Sequence, residues 1–213
     1  FAAVLNEAGI PAHTVSSTGY FSTVEVQTVL SMLRILDNPR QDIPLTAVLR
    51  SPIGGLSDEE LAKLRLKDNE VRFYECVLEE CERLKQEEEE QPGQNRDASE
   101  EKLYRFYTTY EKLRRLVPDT PIHELIELLL KETGYGDYAA AMPAGDRRHA
   151  NLLMLVEKAI AYENTSYKGL FHFVRYIDEL QKYDVDFGEA DLIGENENVV
   201  RIMSIHKSKG LEF

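Results

Sequence analysis

The sequence is poor in cysteine and has no long apolar run. Its only cysteines are Cys76 and Cys81, whose spacing differs from the Cys-x-x-Cys pattern of redox and zinc sites. No apolar stretch approaches the roughly 20 residues that a membrane-spanning helix needs. The histidines lack a metal-ligand spacing to cysteine or to paired acids; they include His13, His123, His149 and His172. We therefore expect a cytoplasmic protein with free thiols, no metal site and no membrane contact.

The sequence also lacks the patterns that hold nucleotide phosphates and magnesium. It contains no Gly-x-x-x-x-Gly-Lys-Ser/Thr run, whose backbone N–H groups would cradle phosphates. It also contains no hydrophobic run that ends in paired acids, which would hold the magnesium ion. We expect these 213 residues alone to hydrolyse no nucleotide.

Acidic residues outnumber basic ones, but unevenly along the chain. The totals are 25 Lys and Arg against 38 Asp and Glu, a net charge of −13. Residues 58–101 hold 16 acids and 7 bases, whereas residues 201–213 hold three bases and one acid. Because phosphate binding depends on Lys and Arg, phosphate contacts are expected near residues 201–213 and not in the acidic middle.

The hydrophobic spacing predicts many helices between two short strands. Strands are expected over 10–15 and 199–205, where short β-branched runs occur. Ser22 with Glu25, and Ser57 with Glu60, match the capping box that opens a helix. Apolar stripes predict the helices, at about 22–38, 45–50, 57–66, 73–84, 103–117, 121–134, 146–163 and 169–183. Residues 85–101, with the run Glu87–Glu90, are expected to form an exposed acidic loop. One predicted strand precedes the helices in the sequence and one follows them, which indicates a helical domain inserted into an α/β domain.

A small, basic, Gly-containing segment follows the second strand, from Ser204 to Phe213. From residue types alone, a basic surface turn with a bend at Gly210 is the simpler interpretation. However, the segment Ser-Ile-His-Lys-Ser-Lys-Gly-Leu-Glu closely resembles motif V of superfamily-one DNA helicases of the UvrD/PcrA/RecB type, T-h-H-x-x-K-G-L-E. In that family the loop lies between the ATP site and the single-stranded DNA track.

The resemblance implies roles for individual residues of this segment. The residues expected to contact the DNA backbone or couple it to the nucleotide are Ser204, His206, Lys207 and Lys209. Gly210 would allow close approach and Glu212 would contact the ribose, so both are expected to bind nucleotide. Serine stands at position 204 where threonine is common, and its hydroxyl can make the same hydrogen bond.

A second resemblance to the same family covers the first part of the sequence. Gly9-Ile10-Pro11, Gly19-Tyr20-Phe21 with Glu25, and Asn38-Pro39 resemble the family's GIP…G…FF…E…NP segment. A Gly-Ile-Gly turn in relatives touches duplex DNA, and here Gly54-Gly55 occupies that place. The acids Asp58, Glu59 and Glu60 that follow make a purely structural turn at least as good an interpretation.

Within the family, the sequence is most similar to the AddA type of ATP-dependent helicase/nuclease subunit. The matches include Ala47 to Ile53 and Met203 to Phe213, and the segment 87–101 has no counterpart. The implied fold class is mainly α, with a helical accessory domain inserted in a partial RecA-like α/β domain. The expected boundaries are 1–44 for the first part of the RecA-like domain, 45–191 for the accessory domain and 192–213 for the return with motif V.

The resemblance further implies a function for a longer parent protein. That protein would use ATP and Mg²⁺ to unwind DNA, degrade DNA ends in break repair and work with an AddB-like partner subunit. These 213 residues alone would be non-catalytic and would bind no cofactor. Two alternatives stay open: a UvrD/PcrA-type helicase without nuclease, and an acidic protein-interaction module. Other candidates have simpler explanations: Arg147-Arg148 as surface salt bridges, and Phe106, Tyr107 and Tyr110 as core.

Overall fold

Two short strands that lie far apart in the sequence are neighbours in the structure. The computed structural model describes residues 4–5, 10, 12–14, 19–68, 70–93, 95–165, 168–182 and 200–202. Strand β1 (Ala12–Thr14) runs parallel to β2 (Val200–Ile202), with Ala12 opposite Val200. Both lie within the predicted strands, at 10–15 and 199–205. A parallel pair needs a long crossover connection, and here that connection contains the helices.

Helices dominate the described residues, which confirms the mainly α fold class. A short 3-10 turn at Tyr20–Ser22 precedes them. The helices are α1 (Val24–Asp37), α2 (Asp42–Arg50), α3 (Asp58–Leu66), α4 (Phe73–Glu90), α5 (Ala98–Leu116), α6 (Ile122–Thr133), α7 (Tyr135–Ala141), α8 (Gly145–Glu163) and α9 (Leu170–Lys182).

Helix α1 lies at the centre of the core. Ten of its 14 residues are buried, as expected for a helix that is apolar on nearly all sides. It packs against α2, α5, α8 and α9, and one hydrophobic cluster extends from Tyr20 to Ile177. The core therefore continues across the predicted boundary between residues 44 and 45. The division into 1–44, 45–191 and 192–213 stays a prediction.

One of the two predicted capping boxes is present and the other is not. The Ser57 hydroxyl accepts from the Glu60 amide, and the Glu60 carboxylate accepts from the Ser57 amide at 2.7 Å. In contrast, Ser22 lies in the 3-10 turn, where its hydroxyl donates to the Gly19 carbonyl at 2.6 Å. The Glu25 side chain turns into the core instead of capping α1. The prediction failed there because a tertiary partner competes for this carboxylate.

The predicted acidic loop at 85–101 is largely helical, so that prediction was wrong. Helix α4 continues to Glu90 and α5 begins at Ala98. Arg83 forms ion pairs with Glu80, Glu87 and Glu100, at 2.7, 2.5 and 2.6 Å. Arg83 thereby offsets the charge of two acids on α4 and of Glu100 in the first turn of α5.

The short helix α7 was not predicted from the sequence. Gly134 ends α6 in the left-handed region, with φ of 65°, and the chain re-enters a helix at the next residue. Glycine adopts this conformation without the steric cost that a side chain would impose. None of the helices in the described ranges is both long and apolar enough to cross a membrane.

Candidate nucleic-acid and nucleotide site

The predicted nucleotide and DNA contacts follow strand β2. The structure describes Val200–Ile202, where the chain runs beside β1, but not residues 203–213. The predicted site residues of this segment therefore lie outside the described residues, namely Ser204, His206, Lys207, Lys209, Gly210 and Glu212. Their roles stay predictions.

The Gly54-Gly55 turn, predicted to contact duplex DNA, uses its own amides internally. The Gly54 N–H donates to the Val48 carbonyl at 3.2 Å, and the Gly55 N–H donates to the Ser51 carbonyl at 2.7 Å. These bonds satisfy carbonyls at the end of α2, as helix C-termini require. The two glycine amides are therefore not available as phosphate donors in this conformation, and duplex contact through Gly54 and Gly55 stays a prediction.

Both glycines are needed for the shape of the turn. A Cβ on the buried Gly54 would lie 2.4 Å from the Leu49 carbonyl oxygen. Gly55 is exposed and has φ of 70°, a conformation that other residues adopt at a cost. The geometry supports the structural interpretation of this turn.

Charges next to the turn are paired with one another. Arg50 and Asp58 form an exposed ion pair at 2.5 Å, and the hydrogen bond from Arg50 lowers the pKa of Asp58. The Ser57 amide donates to the Glu60 carboxylate and holds the pKa of Glu60 below its usual value, helped by Lys102 at 3.0 Å. Asp58 and Glu60 thus already have partners within the chain.

A buried polar cluster joins α1 to α8. The Glu25 carboxylate, 4% exposed, accepts from Arg148 Nη1 at 2.7 Å and from Asn151 Nδ2 at 2.7 Å. The Tyr20 hydroxyl donates to the Asn151 backbone carbonyl at 2.9 Å. Burial raises the pKa of Tyr20, and the Glu25 charge adds to that rise, so the phenol stays a protonated donor. The cluster fixes the 3-10 turn and α1 against α8.

Sequence reasoning missed most of this cluster. It placed Arg148 in a surface salt bridge, and the ion pair exists, but its partner is almost fully buried. A signal was present, since Glu25 occupies the same helical stripe as the buried Val29, Met32 and Leu36. An acid at a core position requires a partner, but its identity depends on a residue 123 positions away.

No group of three His, Cys, Asp or Glu side chains capable of holding a metal ion occurs among the residues that the structure describes. His123 has a different role, since its Nδ1 lies 2.5 Å from the Glu163 carboxylate. Glu163 also accepts from the Ile122 amide and so caps the start of α6.

Comparison with known proteins identifies the family. The family model described as "UvrD-like helicase C-terminal domain" matches residues 1–213. The chain belongs to this family. This membership agrees with the two resemblances noted in the sequence, one in the segment Gly19 to Pro39 and the other in motif V at residues 204–213.

This UvrD-like C-terminal domain is also similar to proteins that are named as ATP-dependent helicase/nuclease subunits. It is 47% identical to the one from Lachnoclostridium phytofermentans over 247 residues, covering 100% of this chain and 18% of that protein. For Thermoanaerobacter pseudethanolicus the identity is 48% over 209 residues, covering 98% and 16%. For Clostridium kluyveri it is 47% over 216 residues, covering 100% and 17%. The chain thus spans about a sixth of the length of these curated relatives.

Proposed function

We propose that the chain is part of an AddA-type ATP-dependent helicase/nuclease subunit that unwinds and degrades DNA ends in double-strand-break repair. The observation that carries this proposal is the 47–48% identity to helicase/nuclease subunits, which extends over essentially the whole chain. The parent protein would act with an AddB-like partner subunit in the cytoplasm. Free, buried Cys76 and Cys81 are compatible with a reducing compartment.

Within that protein, this segment would not carry out the chemistry of ATP hydrolysis or DNA cleavage. The described residues offer no phosphate-binding loop and no carboxylate cluster for Mg²⁺, so ATP and Mg²⁺ would bind mainly to other parts of the protein. Gly210 and Glu212 would supply a nucleotide contact, and Ser204, His206, Lys207 and Lys209 would contact DNA. The helices would guide duplex DNA or hold the partner subunit.

The test is the DNA-stimulated ATPase rate of the full-length protein. We expect Glu212→Gln and His206→Ala each to lower the rate, or its stimulation by DNA, because motif V would couple nucleotide to DNA. The matched control is Glu89→Gln, an exposed acid on α4, which should leave the rate unchanged. Unchanged rates in both motif variants would refute the proposed coupling role.

Two further measurements separate the proposal from its alternatives. Release of short products from linear duplex DNA by the full-length protein supports the AddA type, whereas unwinding without degradation supports a UvrD/PcrA-type helicase. The second measurement is DNA binding by the 213-residue chain alone, and an affinity that falls as salt rises indicates phosphate contacts. DNA binding that is absent at low salt would favour the acidic interaction module.

A further inference from the structure

A groove between α1, α2 and α7 exposes four large apolar side chains. The groove has a volume of about 880 Å³ and is lined by residues of all three helices. Ile43 on α2 is 85% exposed and Val24 on α1 is 68% exposed. Tyr138 and Met142, on and next to α7, are also exposed and line the same groove. Single exposed apolar residues are normal on a protein surface, whereas several in one concave site mark an interaction surface.

The walls of the groove are held in place by contacts with the rest of the chain. Helix α1 packs against α2, and α7 packs against α6 and α8. Next to Ile43, the Asp42 carboxylate accepts from the Tyr74 amide at 3.1 Å, which fixes the start of α2. The Tyr138 ring lies 6.1 Å from the ring of the buried Tyr135 and is nearly parallel to it. The groove is therefore preformed.

The arginines that line the groove already have acidic partners. The ion pairs are Arg34–Asp178 at 2.7 Å, Arg50–Asp58 at 2.5 Å and Arg148–Glu25 at 2.7 Å. Three positive charges are thus matched by three carboxylates, one of which, Glu25, also lines the groove. Because nucleic-acid binding depends on Lys and Arg charge that is available to phosphates, this lining favours a protein occupant over a nucleic acid.

Uncharged polar side chains of the groove are also hydrogen-bonded within the chain. The hydroxyls of Thr28 and Ser51 donate to main-chain carbonyls one turn earlier, at 2.8 and 2.7 Å. The Gln27 side-chain amide donates to the Phe21 carbonyl. Since these donors have partners, apolar contact is the main interaction that the groove offers. Apolar surfaces with few uncompensated charges are typical of permanent interfaces, which resemble a protein core cut in two.

We infer that another part of the same polypeptide, outside these 213 residues, packs into this groove through apolar side chains. The inference rests on the proposed function in one respect, that the chain is part of a longer protein. The chain corresponds to 16–18% of the length of its relatives, so most of such a protein lies outside it. A tethered segment has a high effective concentration and keeps the groove covered even with modest intrinsic affinity. A separate partner subunit is the competing occupant.

The position of the groove gives this contact a structural role. Val24 and Ile43 lie in the predicted RecA-like part, 1–44, whereas Tyr138 and Met142 lie in the predicted accessory part, 45–191. A segment seated between them contacts both parts at once. It would therefore fix the accessory helices relative to the motor.

The first experiment measures alkylation of a cysteine placed in the groove. The native Cys76 and Cys81 are buried, so Ile43→Cys supplies an accessible thiol. Labelling of residue 43 by iodoacetamide, read by peptide mass spectrometry, is compared between the 213-residue chain and the full-length protein. Because a covered thiol reacts only when its cover opens, we expect labelling to be at least about tenfold slower in the full-length protein. The matched control is Glu89→Cys, an exposed position on α4, which should react equally fast in both.

A second experiment tests whether one occupant covers both sides of the groove. Met142→Cys is labelled in the full-length protein with and without Ile43→Asp. Ile43 lies in the first turn of α2, where an acid suits the helix, so this change should leave the urea midpoint of the 213-residue chain nearly unchanged. In the full-length protein the aspartate would be buried without a partner, so it should displace the occupant and speed the labelling of residue 142. Ile43→Val keeps the contact apolar, and labelling of residue 142 should stay slow.

Each outcome supports the inference or overturns it. Slow labelling of residue 43 in the full-length protein, with fast labelling in the chain, supports it, provided that Cys76 and Cys81 stay unlabelled in the chain. Residue 43 that reacts as fast as residue 89 in the full-length protein overturns it. Slow labelling in both proteins overturns it as well, because the cover would then lie within the 213 residues.

The competing occupant and the proposed function are tested separately. Labelling of residue 43 that becomes slow only when a partner subunit is added assigns the groove to that subunit and overturns the inference. These labelling rates involve neither ATP nor DNA. The ATPase assay on the full-length protein therefore decides the proposed function independently.

Discussion

The ion pair between Glu25 and Arg148 should contribute measurably to stability because one partner is buried. The side chains are 5% and 30% exposed, and the carboxylate also accepts from Asn151. Arg148→Met keeps much of the side-chain length but removes the charge that compensates Glu25. Removing one partner of a fully buried pair costs about 3–5 kcal/mol. Since water reaches Arg148, we expect a loss of about 2–3 kcal/mol here.

The assay is urea unfolding followed by far-UV circular dichroism, with Arg50→Met as the matched control. Arg50 also forms an ion pair, with Asp58 at 2.5 Å, but those side chains are 65% and 71% exposed. Water screens an ion pair this exposed, so Arg50→Met should change the urea midpoint little. In a domain of this size a loss of 2–3 kcal/mol also corresponds to a fall in Tm of about 4–12 °C.

A double variant identifies the cause of the loss. Glu25→Gln combined with Arg148→Met should be destabilised by less than the sum of the two single variants, because the second change removes the charge that the first left uncompensated. The reasoning is refuted if Arg148→Met loses no more stability than Arg50→Met. Strict additivity in the double variant would also contradict it.

Two further predictions concern the turn after α2 and the helix that follows it. Gly54→Ala should cost at least about 2 kcal/mol, because the new Cβ would meet the Leu49 backbone, with Gly136→Ala as a mild control whose Cβ meets ordinary contacts at 3.7 Å; equal Tm values for the two would contradict this. The lowered pKa of Glu60 means that its stabilising effect is complete above the unfolded glutamate value of about 4.3 and is lost as pH falls below it. Urea midpoints of the wild type and Glu60→Gln should therefore converge as the pH is lowered toward 3, and a constant difference would contradict the assignment.

Predictions that depend on residues close together in the sequence agree with the structure. Val26, Val29 and Leu33 recur at helical spacing, and all are buried in α1. Ser57 and Glu60 are three residues apart and form their capping box without help from other elements. Such features need only local geometry, so the sequence pattern is sufficient to predict them.

Predictions failed where distant charges decide the outcome. Ser22 and Glu25 have the capping-box spacing, but Arg148 and Asn151 bind the carboxylate more favourably in the core. The four consecutive acids that end α4 suggested a loop, but Glu87 pairs with Arg83 one turn earlier, and Glu88 pairs with Arg96, which lies beyond the end of the helix.

The candidate site shows the same division between local pattern and tertiary context. The family resemblance covers ten consecutive residues, 204–213, and was the basis for predicting Ser204 to Glu212 as site residues. Strand β2 precedes this segment in the sequence. The internal hydrogen bonds of Gly54 and Gly55 could not be predicted from the two-glycine pattern, because their acceptors are set by how α2 ends.

The pairing of β1 with β2 imposes an order on biosynthesis. Ala12 emerges from the ribosome long before its partner Val200, which lies 188 residues later in the sequence. At about 5–20 residues per second, β1 waits roughly 10–40 s for its neighbour. During that interval the edge of β1 that later pairs with β2 lacks this partner, and chaperones or other nascent chains can bind to it. The helices lie between the two strands in the sequence and can pack before Val200 is synthesised. Pairing of β1 with β2 would therefore follow the folding of the helices.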